Sequence, residues 1–131
     1  MDVQQSLDPW TPTFVAERQA EDPDLGQVQD WLRTQSVPEW DDLRGQSPSL
    51  KAYYKQLDSL YLKNDVIYRR LEPTVNQVGP DQLLLPRTLR SEFLSLVHGG
   101  VAGHLGMYKT HMHVRRRAYW FRWREETDIF L

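Results

Sequence analysis

The 131-residue sequence contains no cysteine, which excludes disulfides, thiol catalysis and any all-cysteine metal site within it. It has no apolar run near the ~18 residues that a membrane-crossing helix needs, so no membrane partner is expected. The start, "MDVQQSLDPW", has neither a positive region nor an apolar core, and a secretory signal is not expected. These absences together suit an intracellular protein. Internal repeats and low-complexity segments are also missing. The carboxylates of the first half are scattered over helix starts and surfaces, where they favour the helix dipole. No pair of them has a spacing that argues for acid–base catalysis.

What is present describes an ordinary globular chain, 40% hydrophobic and 26% charged. The net charge of −2 conceals an asymmetry. Residues 1–62 hold eleven acidic and five basic side chains, whereas residues 63–131 hold seven acidic and eleven basic. Lys109, Arg115, Arg116, Arg117, Arg122 and Arg124 fall within sixteen residues that contain no acid. This local stretch, unlike the global balance, points to a polyanion partner.

Short helices dominate the first sixty residues. "TPTFVAERQAE" predicts a helix capped by Thr11 or Thr13. "EDPDLGQVQDWLRTQ" offers Asp22 as N-cap and Pro23 as first helical residue, with Leu25, Val28, Trp31 and Leu32 on one face. "SVPEWDDLRG" reads as a linking turn or short helix. In "SPSLKAYYKQLDSL", Ser47 or Ser49 caps, Pro48 starts, and Leu50, Tyr53 or Tyr54, and Leu57 face inward.

The pattern then changes to strands. "LYLK" and "VIYRRL" are β-prone runs joined by Asn64-Asp65, a pair that tolerates the positive φ of a tight hairpin. After the loop "EPTVNQVGP", "DQLLLP" supplies a third strand ended by Pro86. A three-stranded antiparallel sheet is the simplest packing, since a lone hairpin is marginal. Helical signals resume at Arg87, with Leu89, Phe93, Leu94 and Val97 on one face and a glycine C-terminus at His98-Gly99-Gly100. A second helix is expected from about Gly103 to Arg116. "YWFRWREETDIFL" reads as a turn entering a third, with Trp123, Ile129 and Phe130 inward. The fold class is therefore mainly α with a small antiparallel β-sheet (α+β). Its expected segments are a helical extension (1–46), a helix with a small sheet (47–86) and a helical bundle (87–131).

The most chemical stretch is "HGGVAGHLGMYKT", residues 98–110. Gly99, Gly100 and Gly103 let the connector turn sharply enough to bring His98 and His104 together. Neutral imidazole is a good zinc ligand, but a structural zinc site takes four ligands, so two histidines are half a site. His111 and His113, two residues apart on a helix, do not share a face, and at most one of them adds to such a site. On composition and spacing alone, a glycine-rich helix–helix corner with incidental histidines is the better match. A phosphate loop is the poorest match, because no glycine directly precedes Lys109 and Lys109-Thr110 lies inside a helix.

The string "QLLLP", "LR" at 89–90, His98, "GHLGMYKT" at 103–110 and "RRRAYW" at 115–120 resembles the N-terminal zinc-binding region of integrases of gypsy-type retrotransposons and retroviruses. "AEDPDLGQVQDWL" and "SPSLKAYYKQLDSLYLKNDVIYRR" resemble the linker before integrase in such polyproteins, extending the likeness over nearly all of residues 15–131. The resemblance implies zinc ligands at His98 and His104 and a Cys-x-x-Cys pair after the third helix. By the family spacing the first cysteine would fall about three residues past Leu131, so these residues alone are expected to bind zinc weakly or not at all. Two departures are Phe121, where proline is common, and His111, where an apolar residue is usual. Phe121 suggests a longer last helix, and His111 reads as a half-buried helix histidine rather than a ligand.

The function this implies is a non-catalytic integrase module that binds DNA and packs against other integrase subunits. Catalysis in the family belongs to a separate downstream domain. Lys109, Arg115, Arg116, Arg117, Arg122 and Arg124 are the expected phosphate contacts, while Tyr119, Trp120 and Trp123 suit a helical core better than base stacking. The expected location is the nucleus or a virus-like particle. The rival readings are a domesticated remnant acting as a protein-interaction module, and, more remotely, a small metallohydrolase using His98 and His104.

Overall fold

The computed structural model describes residues 10–71, 81–98 and 107–131, and of Met107 and Tyr108 the backbone only. Strands β1 (Leu60–Lys63) and β2 (Val66–Arg69) form the expected hairpin, pairing Lys63 with Val66 and Leu60 with Arg69. Asn64 and Asp65 turn it with φ of 54° and 66°, the mirror-image turn whose twist matches that of the strands. Strand β3 (Gln82–Leu84) adds antiparallel to β2, with Tyr68 opposite Leu83.

The expectation of three antiparallel strands needs correction. A fourth, β4 (Ala118–Tyr119), lies parallel to β3, with Leu83 opposite Ala118. Parallel neighbours need a long crossover, and helices α4 (Arg87–His98) and α5 (Met107–Arg117) supply it. The α+β class stands, with a mixed sheet in place of an antiparallel one.

Side-chain alternation gives this sheet two buried faces. Val66, Tyr68, Leu83, Ala118 and Trp120 join a core with Val15 from α1 (Pro12–Glu21), with Leu89, Phe93 and Val97 of α4, and with Val114 of α5. Leu60, Ile67 and Leu84 face the other way. They pack with Leu25, Val28 and Trp31 of α2 (Leu25–Thr34) and with Leu50 and Tyr53 of α3 (Pro48–Lys55). The sheet is thus sandwiched, and residues from all three expected segments meet in it.

Helix starts follow local chemistry. Thr11 caps α1 by accepting the Phe14 N–H, and Ser47 caps α3 by accepting that of Leu50, with Pro48 behind it. "WDDL" makes a short 3-10 turn, Trp40–Leu43. Helix α2 begins at Leu25 rather than Pro23, yet Asp22 still caps it, accepting the N–H groups of Asp24 and Leu25.

Two buried glutamines stitch the layers together. Fully buried Gln19 of α1 accepts the Ile67 N–H and donates to the carbonyls of Ile67 and Leu84. It satisfies backbone groups of β2 and β3 beyond the point where those strands pair with each other. Gln29 of α2 donates to Ala16 O in α1 and to Asp65 O in the hairpin turn.

Candidate metal centre and nucleic-acid interface

Helix α4 presents Leu89, Phe93, Leu94 and Val97 to the core, as their spacing predicts, and its last residue is His98. The His98 ring is partly covered, and its Nδ1 is buried without a hydrogen-bond partner. A buried imidazole nitrogen left unpaired carries a desolvation cost, and a metal ion is one group that relieves it. His104 and the glycine corner fall in residues 99–106, outside the described residues, as does the expected start of the second helix at Gly103. Among the described residues, no group of three or more His, Cys, Asp or Glu side chains gathers to hold a metal. Of the two sequence-predicted zinc ligands, His98 alone lies among the described residues.

What reaches His98 is helix α6 (Trp123–Phe130). The Phe130 ring meets the His98 ring edge-on, with centroids 6.4 Å apart. Glu126 anchors α6 by accepting the Trp120 indole N–H at 2.9 Å, and the Thr127 hydroxyl donates to Trp123 O inside the helix. Trp123 faces inward as expected, but Ile129 is 83% exposed and not a core residue. Trp123 and Thr127 lie on the inward face at helical spacing, which turns Ile129 outward. Phe130, expected inward, is itself 39% exposed and touches the His98 ring from outside the core. Phe121 does not lengthen this helix. It lies with Arg122 in the preceding turn and packs against the α2–α3 side of the core.

His111 is committed to the contact between α5 and α6. Its Nε2 lies 2.7 Å from Asp128 Oδ1, and its ring meets Trp123 edge-on. This is the half-buried helix histidine that the sequence suggests.

The basic residues lie along α5 and past it. Lys109, Arg115, Arg116 and Arg117 are exposed. The three arginines have no ion-pair partner among the described residues; they occupy the last turn of α5, where the helix dipole offsets part of their mutual repulsion. Arg122 lies 3.8 Å from Glu125, and the guanidinium of Arg124 sits over the Trp123 ring at 4.9 Å. Trp120 is fully buried against Phe93, and Tyr119 lies on the opposite face beneath Arg69. Trp120 belongs to the core on the α4 side of the sheet, and Tyr119 packs against the cluster on the other. A groove of about 600 Å³ between α4 and α6 is also lined by arginines. Two of them are already paired, Arg87 with Asp24 at 2.8 Å and Arg90 with Glu126 at 3.6 Å.

Sequence reasoning missed Gln82. It is 1% exposed, and its side chain donates to the carbonyl of Arg115. A polar residue opening a short strand carries no signal that it will serve as a cap for a distant helix. No described helix is long and apolar enough to cross a membrane.

No curated protein and no solved structure matches the chain. Residues 85–129, which run from the end of β3 through α4 and α5 into α6, match the family model of the integrase zinc-binding domain, Integrase_H2C2, and so support an integrase-type N-terminal region in this chain.

Proposed function

We propose that this chain is a non-catalytic N-terminal module of a gypsy-type retroelement integrase, which binds DNA and helps to assemble the integration complex. In this reading His98 and His104 are two zinc ligands. The other two are the cysteines that the family carries after its third helix, supplied from beyond these 131 residues. Zinc bound there would cross-link helices and contribute on the order of 10 kcal/mol to holding them together. The observation that carries the reading is the partnerless buried Nδ1 of His98 beside the last turn of α6, within the stretch that the family model matches.

On the DNA side, Arg115, Arg116 and Arg117 contact backbone phosphates, with Lys109, Arg122 and Arg124 flanking. Such contacts are independent of base sequence and weaken with salt. The element's own DNA ends and other integrase subunits are the partners, in the nucleus or a virus-like particle.

Two measurements test this. Zinc competition against a chromophoric chelator is expected to show weak binding by the 131 residues, lost in His98→Ala. Tight one-to-one binding by these residues alone would overturn the assignment of the missing ligands. Duplex-DNA binding at two salt concentrations is expected to fall when Arg115, Arg116 and Arg117 become alanine, and unchanged affinity would overturn the DNA contact.

A further inference from the structure

We infer that Gln82 is a positioning residue for the arginine-bearing end of α5. The inference rests on the proposed DNA contact through Arg115, Arg116 and Arg117. Helix α5 ends at Arg117 and β4 begins at Ala118, so the helix enters the sheet with no spacer. The last carbonyls of a helix have no partner within it. Gln82 supplies one from β3, its Nε2 donating to Arg115 O at 2.7 Å and to Ala118 O at 3.3 Å.

The orientation of that amide is dictated from behind. Arg69 Nη1 donates to Gln82 Oε1 at 2.6 Å, and a guanidinium has no acceptor to offer. The oxygen of Gln82 must therefore face Arg69, which leaves its NH₂ for the two carbonyls. Arg69 is held in turn, because its Nε donates to Gln56 Oε1 at 2.7 Å and its guanidinium lies 4.4 Å from the centre of the Tyr119 ring. Gln56 closes the circuit by donating to the Tyr119 hydroxyl at 2.7 Å. Two amides, a guanidinium and a phenol thus join the end of α3, β2, β3 and β4 to the final turn of α5. Gln82 is buried and the other three members are half-buried, and their mutual hydrogen bonds restrict the motion of each.

The consequence is preorganisation. A clamped Arg115 carbonyl keeps the final turn from fraying, so the three arginines approach phosphates on a fixed frame. Less ordering then remains to be done on binding.

The test measures the duplex-DNA dissociation constant of the full chain across a KCl series. The variants are Gln82→Met, Gln82→Glu and the triple alanine variant at 115–117, with amide hydrogen exchange followed in parallel. Gln82→Glu keeps the acceptor for Arg69 but loses both donors. Each loss of one phosphate contact lowers the log–log salt slope by about 0.9, so the triple variant is expected to lower it by about 2–3. Both Gln82 variants are expected to lower it by about 1, to weaken binding about fivefold, and to speed exchange in the last turn of α5 while the hairpin stays protected.

If the triple variant loses binding while both Gln82 variants bind and exchange like the parent, the positioning role is overturned and the DNA reading stands. If the triple variant binds like the parent, the DNA reading fails and the positioning role fails with it. Should the Gln82 variants melt below the assay temperature, Gln56→Met decides, because it loosens Arg69 without touching α5. A salt slope lowered in that variant supports the inference, and an unchanged one overturns it.

Discussion

Asp22 Oδ2 accepts the backbone N–H of Arg87 at 2.9 Å, joining residues 65 positions apart in sequence. Its Oδ1 accepts the N–H groups of Asp24 and Leu25 at 2.9 and 3.0 Å. One buried carboxylate thus caps the starts of α2 and α4, one on each side of the sheet. Neighbouring Asp24 accepts from Ser47, Ser49 and Arg87 and ties α3 to the same point. Replacing Asp22 with alanine removes both caps and leaves buried donors unpaired. The expected cost is about 2–4 kcal/mol, read from urea unfolding. A loss below about 1 kcal/mol would mean that water replaces the carboxylate at both helices.

Gln19→Leu removes the partner of three buried backbone groups, namely the Ile67 N–H and the carbonyls of Ile67 and Leu84. Volume is nearly conserved, so lost hydrogen bonding dominates and the expected destabilisation is about 2–4 kcal/mol. Thermal melts check the size. Accelerated amide exchange at Ile67, with Lys63 and Val66 unaffected, checks the location.

Alkaline pH provides a third test. Burial pushes the Tyr53 hydroxyl up from 10.0 to about 12, opposed chiefly by the Phe121 N–H that it accepts at 3.1 Å. Burial, and then a hydrogen bond to Asp81, raise Tyr61 to about 12 as well. A phenol whose folded pKa exceeds its unfolded value favours the fold fully below the unfolded pKa and loses that advantage as pH climbs. Stability is therefore expected to hold to about pH 10 and to decline between pH 10 and 12. Phenolate absorbance in the native protein should lag that of the unfolded chain over the same window. Coincident titrations would contradict the burial of Tyr53.

Arg122 offers a test in which stability and binding move in opposite directions. It precedes α6 with φ 67° and ψ 30°, a left-handed conformation that costs a side-chain-bearing residue about 1 kcal/mol. Arg122→Gly is expected to raise the melting temperature and stabilise the chain by about 0.5–1 kcal/mol. If Arg122 flanks a phosphate as proposed, the same variant weakens DNA binding. A more stable protein with undiminished affinity would remove Arg122 from the interface.

Much of this fold is legible in the sequence because its signals are local. Thr11, Ser47-Pro48 and Asn64-Asp65 each fix a cap or turn within four residues, and the Leu89, Phe93, Leu94 and Val97 stripe fixes the buried face of α4. Elements defined by distant partners are not legible in this way. Strand β4 spans two residues, too few for any alternation, and exists because β3 is there to pair with it. Gln19 and Gln82 read as ordinary polar positions because their partners are backbone groups on other elements. Ile129 misleads because hydrophobicity alone does not fix helix phase, which Thr127 decides by turning inward. At the candidate site the basic stretch and His98 stand out in the sequence, whereas the packing of Phe130 against His98 depends on how α6 returns to α4.

The parallel pairing of β3 with β4 also has a kinetic consequence. The hairpin closes between Lys63 and Val66, a matter of microseconds for such elements, whereas Gln82 and Ala118 are 36 residues apart. Contacts between distant residues must await loop closure, so they form late. Destabilising changes in the hairpin are therefore expected to slow folding. Changes at Ala118 or Gln82 should chiefly speed unfolding, so that the arginine-bearing end of the molecule is the last part to assemble.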